Sequence, residues 1–464
     1  MYHSEDWVWS NPNWDREGIL PVDDVEILQG TAFRFRGFIR GIPVTETVTA
    51  TYIIDPKSTT RFSGVPVVSV TAPYADFLDL YGNTWRNAGY RRVFNYEYFT
   101  YFEGQYTRQF SLLGWSNLGG GYSRTNEQRT INVNFSRGEL SGVITYPIFE
   151  NLDELYRIRL WNGGSNFRWG HMPDSLAQTA SSDLNVLFSD NQLAIKFING
   201  EFWGFTTVRE HTSNEDFIAT RTGLDRGNIL VTNRQYSSVD MIVSGDEKLG
   251  EIFLEELASF TTQADMSTDE ARERLFDEFF DQKNFMDYLI ANTFFHNTDW
   301  PHNNVRMFRV INPNPSLNSS YNSGKWHFIL HDMDMTFGST VGVENDNFST
   351  LYERHPQSGE GINYYFLVFN NPTFVREFVD RAHYVLEHYF YPERLLALHD
   401  EFIEACRPLL IDMYKRFNMH GSVTESLEIF EQNSVQHLER FLSTREYYYR
   451  QQLDYLLERV GLNS

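Results

Sequence analysis

Four side chains in the second half of the sequence have the types and spacing that phosphoryl transfer requires. Asp299 and Asn304 share the polar run His296-Asn297-Thr298-Asp299-Trp300-Pro301-His302-Asn303-Asn304, and Asp332 and Asp334 flank Met333 in His331-Asp332-Met333-Asp334. Transfer of a phosphoryl group needs a carboxylate near the acceptor hydroxyl and oxygen ligands that hold Mg²⁺ on the phosphates. A loop with an Asp and an Asn, followed by a further Asp, supplies both. Asp332 and Asp334 are two apart in the strand-like run KWHFILHDMD, which predicts that they face the same side. Like charges held that close are costly without a cation, which favours a metal site over an acid–base pair. Any one of the four, taken alone, reads more readily as a turn cap or a solvated strand end. The order of all four carries the reading.

The elements that must position them change character along the chain. Residues 1–20 read as an irregular leader, and TAFRFRGFIR and TETVTATYIID as strands. GVPVVSVTAP predicts a buried strand, and residues 93–112 a long hairpin turning near Glu103-Gly104-Gln105. Gly119-Gly120-Gly121-Tyr122-Ser123-Arg124 precedes the alternating strand TINVNF. The clearest hairpin is LAIKFI and EFWGFTTVRE joined by Asn199-Gly200, because both turn residues must accept positive φ. After about residue 250 the period is helical. Leu254, Leu257 and Phe260 form one stripe, and Phe285, Tyr288, Leu289 and Asn292 mark one face of a buried helix over 284–296. Residues 364–461 are again mostly helical, and 312–323 form a polar loop. This order predicts an α+β protein with two lobes, a β-rich N-terminal lobe over 59–212 and a helical C-terminal lobe over 213–464, preceded by strands within 1–58.

A loop Asp with an Asn five residues on, then an Asp at a strand end, is the arrangement of protein kinases. Several segments together resemble the CotH kinase family over roughly residues 60–460. FINGEFWGFTTVRE is similar to the family's NGEYWG hairpin with its following Glu, here Glu210. NTDWPHNN is similar to its catalytic loop, HDMDMTFG to its metal-binding Asp-x-Asp, and GYSRTNEQRTINV to its Gly-Ser-Ser-Arg stretch. The resemblance implies an atypical, kinase-like two-lobed fold that uses ATP and Mg²⁺ or Mn²⁺. It implies Ser/Thr acceptors on a coat or surface protein, and a spore coat or envelope location. The strands before residue 58 resemble the last strands of the immunoglobulin-like module found before such domains. Asp299 would serve as general base or acceptor-positioning carboxylate, Asn304, Asp332 and Asp334 as metal ligands, and Arg129, Arg124 and Glu210 in nucleotide binding. Arg129 stands where the family usually has Lys, which keeps a pseudokinase scaffold as the alternative. Ala194-Ile195-Lys196 mimics the Val-Ala-Ile-Lys of ordinary kinases, but it lies one strand before the NGEFWG turn, and Lys196 reads as a solvent-facing strand residue.

Histidines 296, 302, 327 and 331 near the Asp cluster raise a third class, a metal-dependent phosphohydrolase. Against it, the chain has no HExxH, and strand alternation puts His327 and His331 on the face opposite Asp332. His302 is placed to touch the acceptor or a phosphate. With 39 Lys and Arg against 62 Asp and Glu, the formal charge of −23 disfavours nucleic acid and anionic lipid. It suits a basic, Ser- and Lys/Arg-rich protein substrate, and solubility alone also accounts for it. The single cysteine, Cys406, excludes an intrachain disulfide and reads as a buried, inert helix residue. The start, MYHSEDWVW, shows no signal peptide, and no apolar run of about 18 residues predicts a membrane span.

Overall fold

The computed structural model describes residues 30–53, 64–81, 91–150, 152–234, 241–338, 342–352 and 364–462. The leader expected over residues 1–20 lies outside them. The protein is α+β, and the chain divides into two compact units, both discontinuous in sequence. One takes the described residues of Met1–His171, Asn191–Glu210 and Glu401–Val435; the other takes those of Met172–Asp190, His211–Asp400 and Gln436–Ser464.

The first unit is organised by a closed barrel. Its strands are β3 (Val67–Thr71), β4 (Arg92–Phe102), β5 (Gln105–Leu118), β6 (Ile131–Asn134), β7 (Arg157–Trp161), β8 (Asn191–Ile198) and β9 (Glu201–Glu210). They run in the order β8-β9-β7-β6-β5-β4-β3, and β3 closes on β8 as the one parallel pair, with Val67 opposite Ile195. Val, Ile and aromatic residues fill these strands because branched and aromatic side chains pack well on a pleated surface. The expected hairpin turns at Glu103-Gly104, and β8 meets β9 at Asn199-Gly200, where φ is 51° and 89°. Two earlier strands, β1 (Gly30–Phe35) and β2 (Val48–Ile53), pair antiparallel and rest on the barrel. Gly30 N–H donates to Gly200 O (2.5 Å) and Thr51 Oγ1 to the buried Glu97 carboxylate (2.6 Å). Arg108 offsets the Glu97 charge at 2.9 Å. Helix α1 (Tyr74–Tyr81) turns Phe77, Leu80 and Tyr81 inward.

The second unit holds an antiparallel sheet of β10 (Ile229–Arg234), β11 (Met241–Ser244), β12 (Val305–Val310) and β13 (His327–Ile329), ordered β11-β10-β12-β13. Ile229, Val231, Phe308, Val310 and Ile329 share an apolar core with Phe217 and Leu224. The unit also holds α2 (Met172–Ala180), α3 (Glu215–Thr222), α4 (Glu247–Gln263), α5 (Asp269–Arg274), α6 (Gln282–Phe294), α7 (Pro372–His388) and α10 (His437–Arg459). Between α7 and α10 in sequence come α8 (Pro392–Phe417), which carries Cys406, and α9 (Val423–Phe430); from Glu401 to Val435 this stretch belongs to the first unit. The high aromatic content is spent in the second unit: Phe328 stacks on Phe280 (5.4 Å) and on Tyr288 (4.3 Å), and Phe285 meets both Phe280 and Phe374. The helix expected over 284–296 is α6, capped by Asp281, whose carboxylate accepts from Asn284 N–H at 2.8 Å. Buried Asp287 on α6 takes a two-pronged ion pair from Arg381 of α7 (2.7 and 2.9 Å). Among the described residues, no helix is long and apolar enough to cross a membrane.

Candidate active site

The loop that carries Asp299 starts where α6 stops. His296 turns the chain with φ of 53°, and the exposed carbonyls of the helix end are gathered by one fully buried side chain, Arg445 of α10. Its guanidinium donates to Thr293 O (2.8 Å), Phe294 O (2.7 Å), Val343 O (2.7 Å) and Asn345 O (2.8 Å). A cation at a helix C-terminus also meets the negative end of the helix dipole. Burial still lowers the Arg445 pKa to about 10. Burial and Arg445 together push His296 down to about 4, so it is neutral at physiological pH.

Asp299 is held by its own loop. Its Oδ2 accepts from Asn303 Nδ2 and from Asn304 Nδ2, both at 2.9 Å, and His302 Nε2 lies 3.5 Å from Oδ1. Asn304 adopts φ of 58°, in the left-handed region that Asn tolerates better than most residues. Because its amide nitrogen is committed to Asp299, its carbonyl oxygen is the end left to serve as a ligand. Asp299 and Asn304 are therefore a directly bonded pair.

The structure also ties this loop to the Asp332–Asp334 segment. Thr298 N–H and Oγ1 both donate to Met335 O (3.0 and 3.1 Å), Asn297 Nδ2 reaches Met333 Sδ (3.4 Å), and Phe337 N–H donates to Phe295 O (2.7 Å). The geometry of the two aspartates differs from the expected strand. β13 ends at Ile329, and Asp332 has φ of 54°, so strand alternation does not extend through Asp332 and Asp334. The reason lies in Met333 N–H, which goes to the fully buried carboxylate of Asp174 (2.7 Å) instead of to a neighbouring strand. Asp174 sits in the first turn of α2 and was not singled out from the sequence; a lone Asp in GHMPDS carries no local signal. The same strand end undoes the facing argument for the histidines. His327 is buried between Phe308 and Tyr321, and burial pushes it down to about 4. His331 accepts at Nδ1 from Arg306 (2.9 Å), which fixes its proton on Nε2. The oxygen donors of Asn304, Asp332 and Asp334 are hard ligands of the kind Mg²⁺ and Mn²⁺ take.

The residues expected at the nucleotide lie in the first unit. Arg129 precedes β6 and is buried; its backbone N–H donates to Tyr81 Oη (2.9 Å) and its guanidinium lies 4.9 Å from the Tyr81 ring centroid. Arg124 lies in a short 3-10 turn, Tyr122–Thr125, and desolvation lowers its pKa. Glu210 is the last residue of β9, buried opposite Ile158. Lys196 corrects an expectation. It is not solvent-facing: it is fully buried in β8, where the β8–β9 register slips between Ile195 and Phe197. Its Nζ has no hydrogen-bond partner among the described residues, and desolvation pushes its pKa down to about 7. His171 is likewise buried and driven down to about 3 by burial and by Lys196. Cys406 is buried as expected, with its thiol pushed up to about 12 by desolvation.

The family model described as CotH kinase protein matches residues 119–449, and the chain belongs to the CotH kinase family. Comparison with curated proteins gives no match.

Proposed function

We propose that this protein transfers the γ-phosphoryl group of ATP to a Ser or Thr hydroxyl of a basic coat or surface protein, with Mg²⁺ or Mn²⁺. In this reading the barrel-bearing unit is the β-rich lobe and the sheet-and-helix unit the helical lobe. The observation that carries it is the direct Asp299–Asn304 pair in a loop laced through Thr298 to the Asp332–Asp334 segment. Asp299, fixed by two amides, takes up or orients the acceptor hydroxyl proton. The hydroxyl oxygen then bonds to the γ-phosphorus while the bond to the β–γ bridging oxygen breaks, and ADP leaves with that electron pair. Asn304, Asp332 and Asp334 would hold the metal, which would neutralise charge on the phosphates. Arg129 and Arg124 supply cations to the nucleotide, and Glu210 contributes to its binding.

The test is incorporation of labelled γ-phosphate into a Ser- and Lys/Arg-rich protein, and into the protein itself. Asp299→Asn should reduce incorporation by ~10²-fold or more while nucleotide binding persists. Incorporation unchanged in that variant removes Asp299 from the reaction. Nucleotide binding without turnover on any acceptor would instead make the protein a scaffold of kinase fold, with Arg129 as the first suspect.

A further inference from the structure

Two buried guanidiniums of the first unit converge on one pair of aromatic rings. Arg416, near the end of α8, is only 5% exposed and Arg129 only 6%. Both lie against one aromatic pair: Arg416 Cζ is 4.4 Å from the Trp203 centroid, Arg129 Cζ is 4.9 Å from the Tyr81 centroid, and the two rings meet edge to face at 5.8 Å. The Tyr81 hydroxyl accepts from Trp203 Nε1 (3.2 Å) and from Arg129 N–H (2.9 Å), and both guanidiniums act on it electrostatically. Two carboxylates oppose them: Glu201, 3.1 Å from Arg416, and Glu127, which acts on Arg129 but is itself ion-paired to Arg168. Burial raises the Glu201 pKa to about 7, so that countercharge is weakened. Arg129 Nε and NH1 and Arg416 Nε find no acceptor among the described residues. Buried N–H donors of this kind are expensive unless something supplies oxygen and negative charge. A planar guanidinium fork matches phosphate oxygens better than any other side chain.

We propose that Arg416 and Arg129, set on the Trp203–Tyr81 pair, form an anion site for the polyphosphate of a nucleotide, with Arg416 as a phosphate-binding cation. The identity of the ligand rests on the kinase reading; the anion site does not. Glu201 is the competing internal anion, and the incoming phosphate takes its place on Arg416. A residue from α8, far from every nucleotide-binding motif in sequence, thus joins the nucleotide machinery.

Calorimetric titration of the full chain with tripolyphosphate, without metal, separates the possibilities. Wild type should bind. Arg416→Met should weaken binding roughly tenfold or more, the value of a charge-assisted hydrogen bond. Glu201→Gln should tighten binding, because the internal competitor is gone. No binding by wild type at millimolar tripolyphosphate overturns the site. A folded Arg416→Met protein with wild-type affinity reduces Arg416 to a structural partner of Glu201. If Arg416→Met fails to fold, Glu201→Gln decides, and equal or weaker binding overturns the proposal. Tripolyphosphate binding without phosphate transfer to any acceptor would sink the kinase reading and leave the anion site standing.

Discussion

Replacing Lys196 with Met should stabilise the protein, and the gain should depend on pH in a defined way. Lys196 is fully buried in the barrel with no partner for its Nζ among the described residues, and desolvation lowers its pKa from 10.5 to about 7. At ~1.4 kcal/mol per tenfold change in proton affinity, that displacement caps the cost of the buried amine at about 5 kcal/mol. Relaxation around the site brings the realised figure below this cap. Below about pH 7 the amine is charged in both the folded and unfolded chain, and the folded state bears the whole cost. Between about 7 and 10.5 the folded state is neutral while the unfolded state still binds a proton, so each step upward in pH removes part of the unfolded state's advantage. Wild-type stability from this group therefore rises with pH across that window and is lowest below it. Met keeps the length of the side chain without the charge. Thermal unfolding followed by circular dichroism at pH 6, 7, 8 and 9.5 should show Lys196→Met melting several degrees higher at the acid end. The difference should shrink toward the alkaline end. A Met variant that melts lower than wild type at pH 7, or a difference independent of pH, would refute the reasoning and give the amine an anionic partner.

Removing the Asp174 carboxylate with Asp174→Ala leaves Met333 N–H unpaired in the interior, which should cost about 1–3 kcal/mol. It should also raise the Mg²⁺ concentration for half-maximal phosphate incorporation, a shift that a purely structural defect would not produce. Arg445→Leu removes the guanidinium donor from four carbonyls, of which Thr293 O and Asn345 O keep a second donor; a loss of about 3 kcal/mol is expected in urea unfolding, with faster proteolysis after residue 296. Gly200→Ala should destabilise by about 1–2 kcal/mol or more, because φ is 89° and a new Cβ would lie 2.4 Å from Gly30 O. Chemical denaturation checks it, and an unchanged midpoint would mean that β1 moves aside freely.

What could be read from the residues follows from where the determining forces are local. Asn199-Gly200 specifies its turn through φ alone, and the apolar stripe of α6 specifies a helix through its period, so both were legible. The Asp299 loop was legible for the same reason: its bonding partners Asn303 and Asn304 are its neighbours. Asp332 shows the limit. Its alternating surroundings favour a strand, yet a carboxylate 159 residues away captures the next N–H and bends the chain. Lys196 shows a second limit, since alternation says which residues share a face but not that a closed barrel buries both faces of β8. Arg416 and Arg445 carry no local signal in the sequence, because their partners are a distant carboxylate, aromatic rings and backbone carbonyls that only the assembled fold brings near.

Those two arginines bear on how the molecule is made. The barrel is encoded in the first half of the chain, but its unit also needs residues 401–435, and the end of α6 waits for Arg445. During synthesis the early strands and the Asp299 loop therefore emerge long before their last supports. Long-range closure of this kind is slow and leaves apolar surface open meanwhile. A chain terminated before residue 401 would keep every motif read from the sequence and still lack a part of each unit. For this protein, the late-made helices act as the final checkpoint between a polypeptide that carries the motifs and one that can use them.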